Sequence, residues 1–206
     1  DGIIVPGGFG TRGWEGKIAC VRYAREHDVP YLGLCLGFQA AVIEFARHVC
    51  GIAGANSTEI DPDCPEPVIS ILPEQKKIEG LGGNMRLGGR DVEIKKGTLA
   101  WRYFGKVSSV RLRFRHRYEV DPDYIERLEE KGLVFSGKAP RQPIMQVLEL
   151  GGHPFFMGTQ SHPELTSRPM RPAPLFVGLV AAARARKYRD TLSADPLAAV
   201  EKVRSF

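Results

Sequence analysis

The first 50 residues alternate between short apolar runs and amphipathic stretches, and this alternation limits the possible folds more than any other feature. The apolar runs 3–5 and 31–35 are short and continuous, which predicts buried strands. Residues 14–27 and 38–49 carry apolar side chains at helical spacing. Strand, helix, strand, helix in this order predicts an α/β fold: an open, mostly parallel sheet with helices on both faces.

The rest of the chain predicts further strands and helices around a less regular middle. Residues 54–98 are rich in glycine, proline and charge, which indicates a small antiparallel excursion. We expect strands at 68–72, 85–94, 117–120, 133–138, 145–150 and 155–159, and helices at 121–131 and 174–187. One domain over residues 1–189 would precede a peripheral tail, 190–206. Because the sequence opens on what reads as the end of a buried strand, we expect earlier strands before Asp1.

The composition excludes several classes of protein. Hydrophobic residues make up 43% of the chain, and 29 Lys and Arg face 24 Asp and Glu, a net charge of +5. The hydrophobic content is ordinary for a globular domain, and the net charge is too weakly positive for a dedicated nucleic-acid binder. The four cysteines form no CxxC pair, which predicts no metal site, and they favour a reducing, cytoplasmic setting. No apolar run reaches the ~20 residues that cross a bilayer.

The pentapeptide Gly-Leu-Cys-Leu-Gly at residues 33–37 lies at the junction of a predicted strand and helix. Glycines two positions before and after Cys35 permit a tight turn, as nucleophiles on such turns require. The helix N-terminus would favour a thiolate, and the Leu36 N–H would face the oxygen of an attacked carbonyl. Cys35 could equally be a small buried apolar residue that ends a strand.

The tripeptide His-Pro-Glu at residues 162–164 follows the apolar run 155–159. A side chain at the carboxyl end of a parallel strand lies at the edge where α/β proteins bind ligands. Glu164 can accept one imidazole N–H of His162, which leaves the other ring nitrogen free as a base. Taken alone, the tripeptide is also typical of a surface turn.

A third feature is the Pro-Gly-Gly sequence at residues 6–8, directly after the first strand. The Gly8 N–H could complete an oxyanion hole beside Cys35. Glycines after a strand could also cradle a phosphate, although the GxxxxGK[ST] spacing is absent, or they could form a simple turn.

These three motifs, in this order, resemble those of class I glutamine amidotransferases of the triad type. Further stretches narrow the resemblance to the branch that supplies ammonia for amination of UTP to CTP; they lie at 7–13, 46–49, 55–59, 82–88, 115–120, 167–169 and 174–176. Together they cover residues 1 to about 188.

The resemblance implies a role for each matching residue. Cys35 would form a γ-glutamyl thioester, His162 would act as base and then acid, and Glu164 would orient His162. Glu59 suits the ammonium of a zwitterionic substrate and Arg117 its carboxylate. The implied glutamine contacts are Gly8, Leu36, Gly37, Phe38, Gln39, Glu59 and Arg117. The glycine-rich stretch 9–16 would be a mobile lid that responds to GTP.

The resemblance also implies partners outside this chain. A preceding synthetase domain would bind ATP, Mg²⁺ and UTP, the chain itself would hold no cofactor, GTP would activate, and the full protein would be a homotetramer. Alternatives are the glutaminase domain of another amidotransferase, such as a GMP synthase, and a stand-alone γ-glutamyl cysteine hydrolase. A third alternative is a catalytically silent interaction domain.

Overall fold

A computed structural model describes residues 1–72, 85–188 and 198. The described residues form ten strands: β1 Ile3–Val5, β2 Tyr31–Leu34, β3 Ala55–Ser57, β4 Glu66–Ser70, β5 Arg86–Ile94, β6 Ser109–His116, β7 Glu119–Val120, β8 Leu133–Lys138, β9 Met145–Leu150 and β10 Phe156–Thr159. The helices are α1 Trp14–Glu26, α2 Leu36–His48, α3 Leu99–Tyr103, α4 Pro122–Glu130 and α5 Pro174–Lys187, with a 3₁₀-helix at Pro163–Leu165.

The strands form two sheets, of which the larger has the order β1-β2-β10-β9-β8-β5-β6. The strands β1, β2 and β10 pair in parallel, and the remaining neighbours in this sheet pair antiparallel. The smaller sheet has the order β3-β4-β7. The predicted α/β class is confirmed, but the antiparallel part is larger than expected because β5 and β6 extend the main sheet.

Hydrophobic packing covers both faces of the main sheet. On β2, Tyr31 belongs to the apolar cluster that contains α1 and α2, whereas its neighbour Leu32 belongs to the cluster that contains α3 and α5. This alternation follows from the two-residue period of a strand. Helices therefore lie on both faces, as predicted, and the helix α2 is almost wholly buried.

Several sequence predictions differ from the structure in the middle of the chain. The strand β6 was not predicted, although Arg111, Arg113 and Arg115 are exposed at every second position, as expected for a strand with one solvated face. The strand expected at 117–120 is confined to β7, and β3 and α3 were also missed. The expected domain end after residue 189, the tail 190–206 apart from residue 198, and residues 82–84 of the stretch 82–88 lie outside the described residues.

A buried ion pair joins α1 to α2. Glu44 has no exposed side-chain surface, and the Arg25 guanidinium donates to it through Nη2 at 2.8 Å and through Nε at 2.9 Å. This hydrogen bonding raises the pKa of Arg25 above its ordinary value. A two-pronged guanidinium contact is the geometry that makes a buried carboxylate tolerable.

We expect Glu44→Ala to lower the free energy of unfolding by about 3 kcal/mol, since it leaves the largely buried Arg25 without its main partner. Urea unfolding measures the loss. The control is Glu26→Ala, which removes an exposed carboxylate at the end of α1 and should change stability little. Equal losses in the two variants would contradict a special role for the buried pair.

Candidate active site

Cys35 occupies a strained turn between β2 and α2. Its φ is 49° and its ψ is −100°, outside the conformations that a non-glycine residue ordinarily adopts. A Cβ at Gly33 would lie 2.5 Å from the Gly37 carbonyl oxygen, and a Cβ at Gly37 would overlap the Val5 carbonyl. The two glycines are therefore needed for close backbone approach, as the sequence predicted.

The resting Cys35 thiol is neutral. Burial raises its pKa to about 12, and the Glu59 and Glu164 carboxylates act in the same direction. Hydrogen bonds from the Leu36 N–H and from Gln160 oppose this rise without cancelling it. The helix N-terminus therefore acts in the expected direction, since the Leu36 N–H lowers the pKa of the thiol, but desolvation outweighs it in the ligand-free site.

His162 is oriented by Glu164. The His162 Nδ1 lies 2.5 Å from the Glu164 Oε1, and since a carboxylate only accepts, Nδ1 carries the proton. The backbone N–H of His162 donates to the Arg113 carbonyl at 2.8 Å, which fixes the residue against β6. The Nε2 atom is buried and has no hydrogen-bond partner among the described residues. This nitrogen is available as a base.

Cys35 and the imidazole of His162 both lie next to Gly7. A Cβ on Gly7 would lie 2.8 Å from the His162 Cε1 and 3.5 Å from the Cys35 Cβ. A Cβ on Gly8 would lie 3.4 Å from a Leu36 methyl carbon. The structure therefore brings together the three motifs that the sequence singled out, and only glycine at position 7 leaves room for that approach.

The residues predicted to contact glutamine lie around this point. Leu36, Gly37, Phe38 and Gln39 form the buried first turn of α2. The Phe38 side chain belongs to the hydrophobic core, so any contact with a substrate would come from its backbone.

Glu59 and Arg117, the two charged residues predicted to bind glutamine, both affect the pKa of Tyr118. Burial and the negative charge of Glu59 raise the pKa of Tyr118, and the positive charge of Arg117 opposes this rise. Arg117 is exposed, in the turn between β6 and β7. Glu59 also raises the pKa of Cys35, so its carboxylate lies within electrostatic reach of the thiol. The structure thus places the anion near the nucleophile and the cation near Tyr118; a zwitterionic amino acid needs one partner of each charge.

The sequence reasoning missed Gln160. Its Nε2 lies 3.5 Å from the Cys35 Sγ, and its side chain is fully buried. The available signal was a polar residue at the end of the apolar run that becomes β10, two positions before His162.

The described residues offer neither a cluster of metal ligands nor a membrane-spanning helix. In residues 1–72, 85–188 and 198, no group of three or more His, Cys, Asp or Glu side chains is placed to hold a metal ion. None of the helices in the same part of the chain is long and apolar enough to cross a membrane.

Comparison with known proteins identifies related sequences. The family model "Glutamine amidotransferase class-I" matches residues 1–182. The CTP synthase of Thermococcus kodakarensis is 59% identical over 189 residues, 91% of this chain and 35% of that protein. The CTP synthase of Thermus thermophilus is 57% identical over 194 residues, 92% of this chain and 35% of that protein. The chain thus spans about a third of the length of these relatives.

Solved structures share the fold. The glutaminase domain of Trypanosoma brucei CTPS, with bound acivicin, has a TM-score of 0.83 and 40% identity, covering 89% of this chain and 71% of that one. A GMP synthase subunit from Thermoplasma acidophilum, described as putative in its name, has a TM-score of 0.59 and 17% identity. It covers 93% of this chain and 77% of that one. At that identity the second likeness concerns the fold alone.

We expect iodoacetamide to label Cys35 much more slowly than the exposed Cys20 at pH 8, because a pKa of about 12 leaves about one ten-thousandth of the thiol ionised. The Cys35 rate should rise about tenfold per pH unit from pH 8 to pH 10. Mass spectrometry of the two cysteine peptides measures both rates. A Cys35 rate that is already constant below pH 8 would indicate a resting thiolate and contradict this result.

Proposed function

This chain belongs to the class I glutamine amidotransferase family, and from that premise we propose that Cys35, His162 and Glu164 hydrolyse the side-chain amide of glutamine to glutamate and ammonia. The observation that supports this most directly is that Cys35 and His162 both lie next to Gly7, with the His162 Nδ1 bound to Glu164. A nucleophile, a base and a group that orients the base are the parts that acyl transfer requires.

The first half of the reaction forms a thioester. The partner-free Nε2 of His162 takes the thiol proton, and the Cys35 sulfur attacks the carbonyl carbon of the substrate amide. The backbone N–H groups of Gly8 and Leu36 donate to the oxygen that becomes negative. The C–N bond then breaks as the nitrogen takes the proton from the imidazolium, and ammonia leaves.

The second half releases glutamate. His162 takes a proton from water while the water oxygen attacks the thioester carbon. The C–S bond breaks, and the sulfur regains a proton from the imidazolium. Glu164 accepts the Nδ1–H throughout, which keeps the same nitrogen facing the reaction in both halves.

Substrate recognition uses charge at both ends of the amino acid. Glu59 binds the ammonium group and Arg117 binds the carboxylate, so the side-chain amide is directed toward Cys35. The Glu59 carboxylate also accepts the Gly10 N–H at 2.9 Å. The stretch 9–16, with left-handed glycines at Gly10 and Gly13, is therefore tied to the ammonium site and acts as the lid that responds to GTP.

The ammonia feeds the amination of UTP to CTP in the full-length protein. The identity of about 60% to CTP synthases over nine-tenths of this chain supports this assignment. ATP, Mg²⁺ and UTP bind in a synthetase domain outside this chain, and GTP activates. The full protein is a cytoplasmic homotetramer that binds neither nucleic acid nor membrane. At 17% identity, the likeness to a GMP synthase does not favour that alternative.

We expect Cys35→Ala in the full-length protein to lower glutamine hydrolysis by more than about 10³-fold, since no other group can form the thioester. CTP synthesis from added ammonia should persist, because it bypasses the thiol. Ammonia release and CTP formation are measured separately. The control is Cys20→Ala, an exposed thiol on α1. Unchanged hydrolysis by Cys35→Ala would refute the proposed function.

We expect Arg117→Met to raise the KM for glutamine about 10- to 100-fold with a smaller effect on kcat, as loss of a charge-assisted hydrogen bond to substrate predicts. Steady-state kinetics separate the two constants. The matched control is Arg111→Met, an exposed arginine on β6 that pairs with Asp91 at 3.0 Å. If both substitutions raise KM equally, a general loss of positive charge explains the effect and the assignment of Arg117 fails.

A further inference from the structure

Gln160 contacts the nucleophile, and the proposed reaction gives it no role. Its side chain has no exposed surface, and its Nε2 lies 3.5 Å from the Cys35 Sγ. Its backbone N–H donates to the Gln146 carbonyl at 2.9 Å, which fixes the residue at the end of β10. An amide nitrogen can only donate, so the sulfur is the acceptor of this contact.

The orientation of the Gln160 amide follows from its other neighbours. The Gln39 Nε2 donates to the Tyr118 carbonyl at 3.1 Å and to the Gln160 Oε1 at 3.2 Å. Because a backbone carbonyl only accepts, Gln39 must present its NH₂ group there. Gln160 must then present its oxygen to Gln39, which turns its own NH₂ group toward Cys35. The Tyr118 carbonyl therefore sets the orientation of both amides, from Gln39 through Gln160 to the Cys35 sulfur.

We propose that Gln160 is a positioning residue that holds the Cys35 sulfur toward the reaction centre and stabilises it when His162 has taken the thiol proton. The inference rests on the glutaminase function proposed above. Gln160 has no titratable group and leaves the His162 Nε2 unoccupied. Its contribution is a fixed dipole directed at the site where negative charge develops.

The sulfur has a second donor in the ligand-free site, but the proposed reaction takes that donor away. In the ligand-free site, the Leu36 N–H also donates to Cys35. In the proposed mechanism, that N–H turns to the oxygen of the attacked amide. Gln160 then remains as the donor that the sulfur keeps throughout the reaction, in surroundings where an unsolvated thiolate is costly.

The amide chain also joins the nucleophile to the substrate's carboxylate site. Tyr118, whose carbonyl orients Gln39, directly follows Arg117. Movement of this turn would therefore reach the sulfur through Gln39 and Gln160. The nucleophile is thus linked by hydrogen bonds to the residue that directly follows the Arg117 proposed to bind glutamine's carboxylate.

The test compares Gln160→Leu and Gln160→Glu with the wild type in the full-length protein. Leucine removes both polar atoms at similar size, whereas glutamate keeps the acceptor for Gln39 and removes the donor to sulfur. We expect both variants to slow iodoacetamide labelling of Cys35 about 10- to 100-fold at a fixed pH, and to move the labelling profile to higher pH by about one pH unit or more. We expect kcat for glutamine hydrolysis to fall with little change in KM.

Cys20 serves as the reference in every sample, since its exposed thiol should be labelled equally in all variants. Gln142→Leu, at an exposed glutamine between β8 and β9, should leave the Cys35 profile and the kinetics unchanged. If Gln160→Leu does not fold, Gln160→Glu carries the test because it is nearly the same size. Thermal unfolding of each variant identifies the folded samples.

A folded Gln160 variant with the wild-type labelling profile would overturn the inference, and so would a rise in KM without a change in kcat or labelling. Failure of the proposed function gives a different result. In that case the wild type would not hydrolyse glutamine, but the Gln160 variants would still shift the labelling of Cys35.

Discussion

The structure depends on one constraint, the close approach of three backbone segments at the turn that holds Cys35. The turn has a left-handed φ of 49°, Gly37 lies against the Val5 carbonyl, and Gly33 lies against the Gly37 carbonyl. The Tyr31 hydroxyl donates to that same carbonyl at 2.8 Å and fixes the start of α2. Such strain persists because the surrounding core holds it, and it places the thiol where parallel strands end.

Burial determines the protonation state of the Cys35 thiol and the kind of groups that surround it. The thiol is neutral, the imidazole has a free buried nitrogen, and the neighbouring donors are amides without charge. A neutral resting thiol avoids the cost of holding an unpaired thiolate away from water. In the proposed amide cleavage, the charges arise within the site, where fixed dipoles act most strongly because water is excluded.

A buried ionic cluster supports the exposed turn that carries Arg117, the residue proposed to bind the substrate's carboxylate. Glu119 is fully buried and accepts from the Arg86 Nε at 2.8 Å, and the His116 Nε2 lies 2.8 Å from the same oxygen. Arg86 and His116 face each other across β5 and β6. Arg117 and Tyr118 lie between His116 and Glu119, so this cluster fixes both ends of their turn. The antiparallel part of the sheet thus serves the site formed at its parallel part.

The sequence by itself determined the local chemistry. It predicted the glycine-flanked turn at Cys35, the pairing of His162 with Glu164, and the strands and helices with strong periodicity, because these depend on neighbours within a few residues. Only the tertiary structure decided that β5 and β6 extend the main sheet, that Gln160 reaches the sulfur, and that the thiol is protonated at rest. Strand partners, amide orientation and desolvation are set by groups distant along the chain, and local spacing does not encode them.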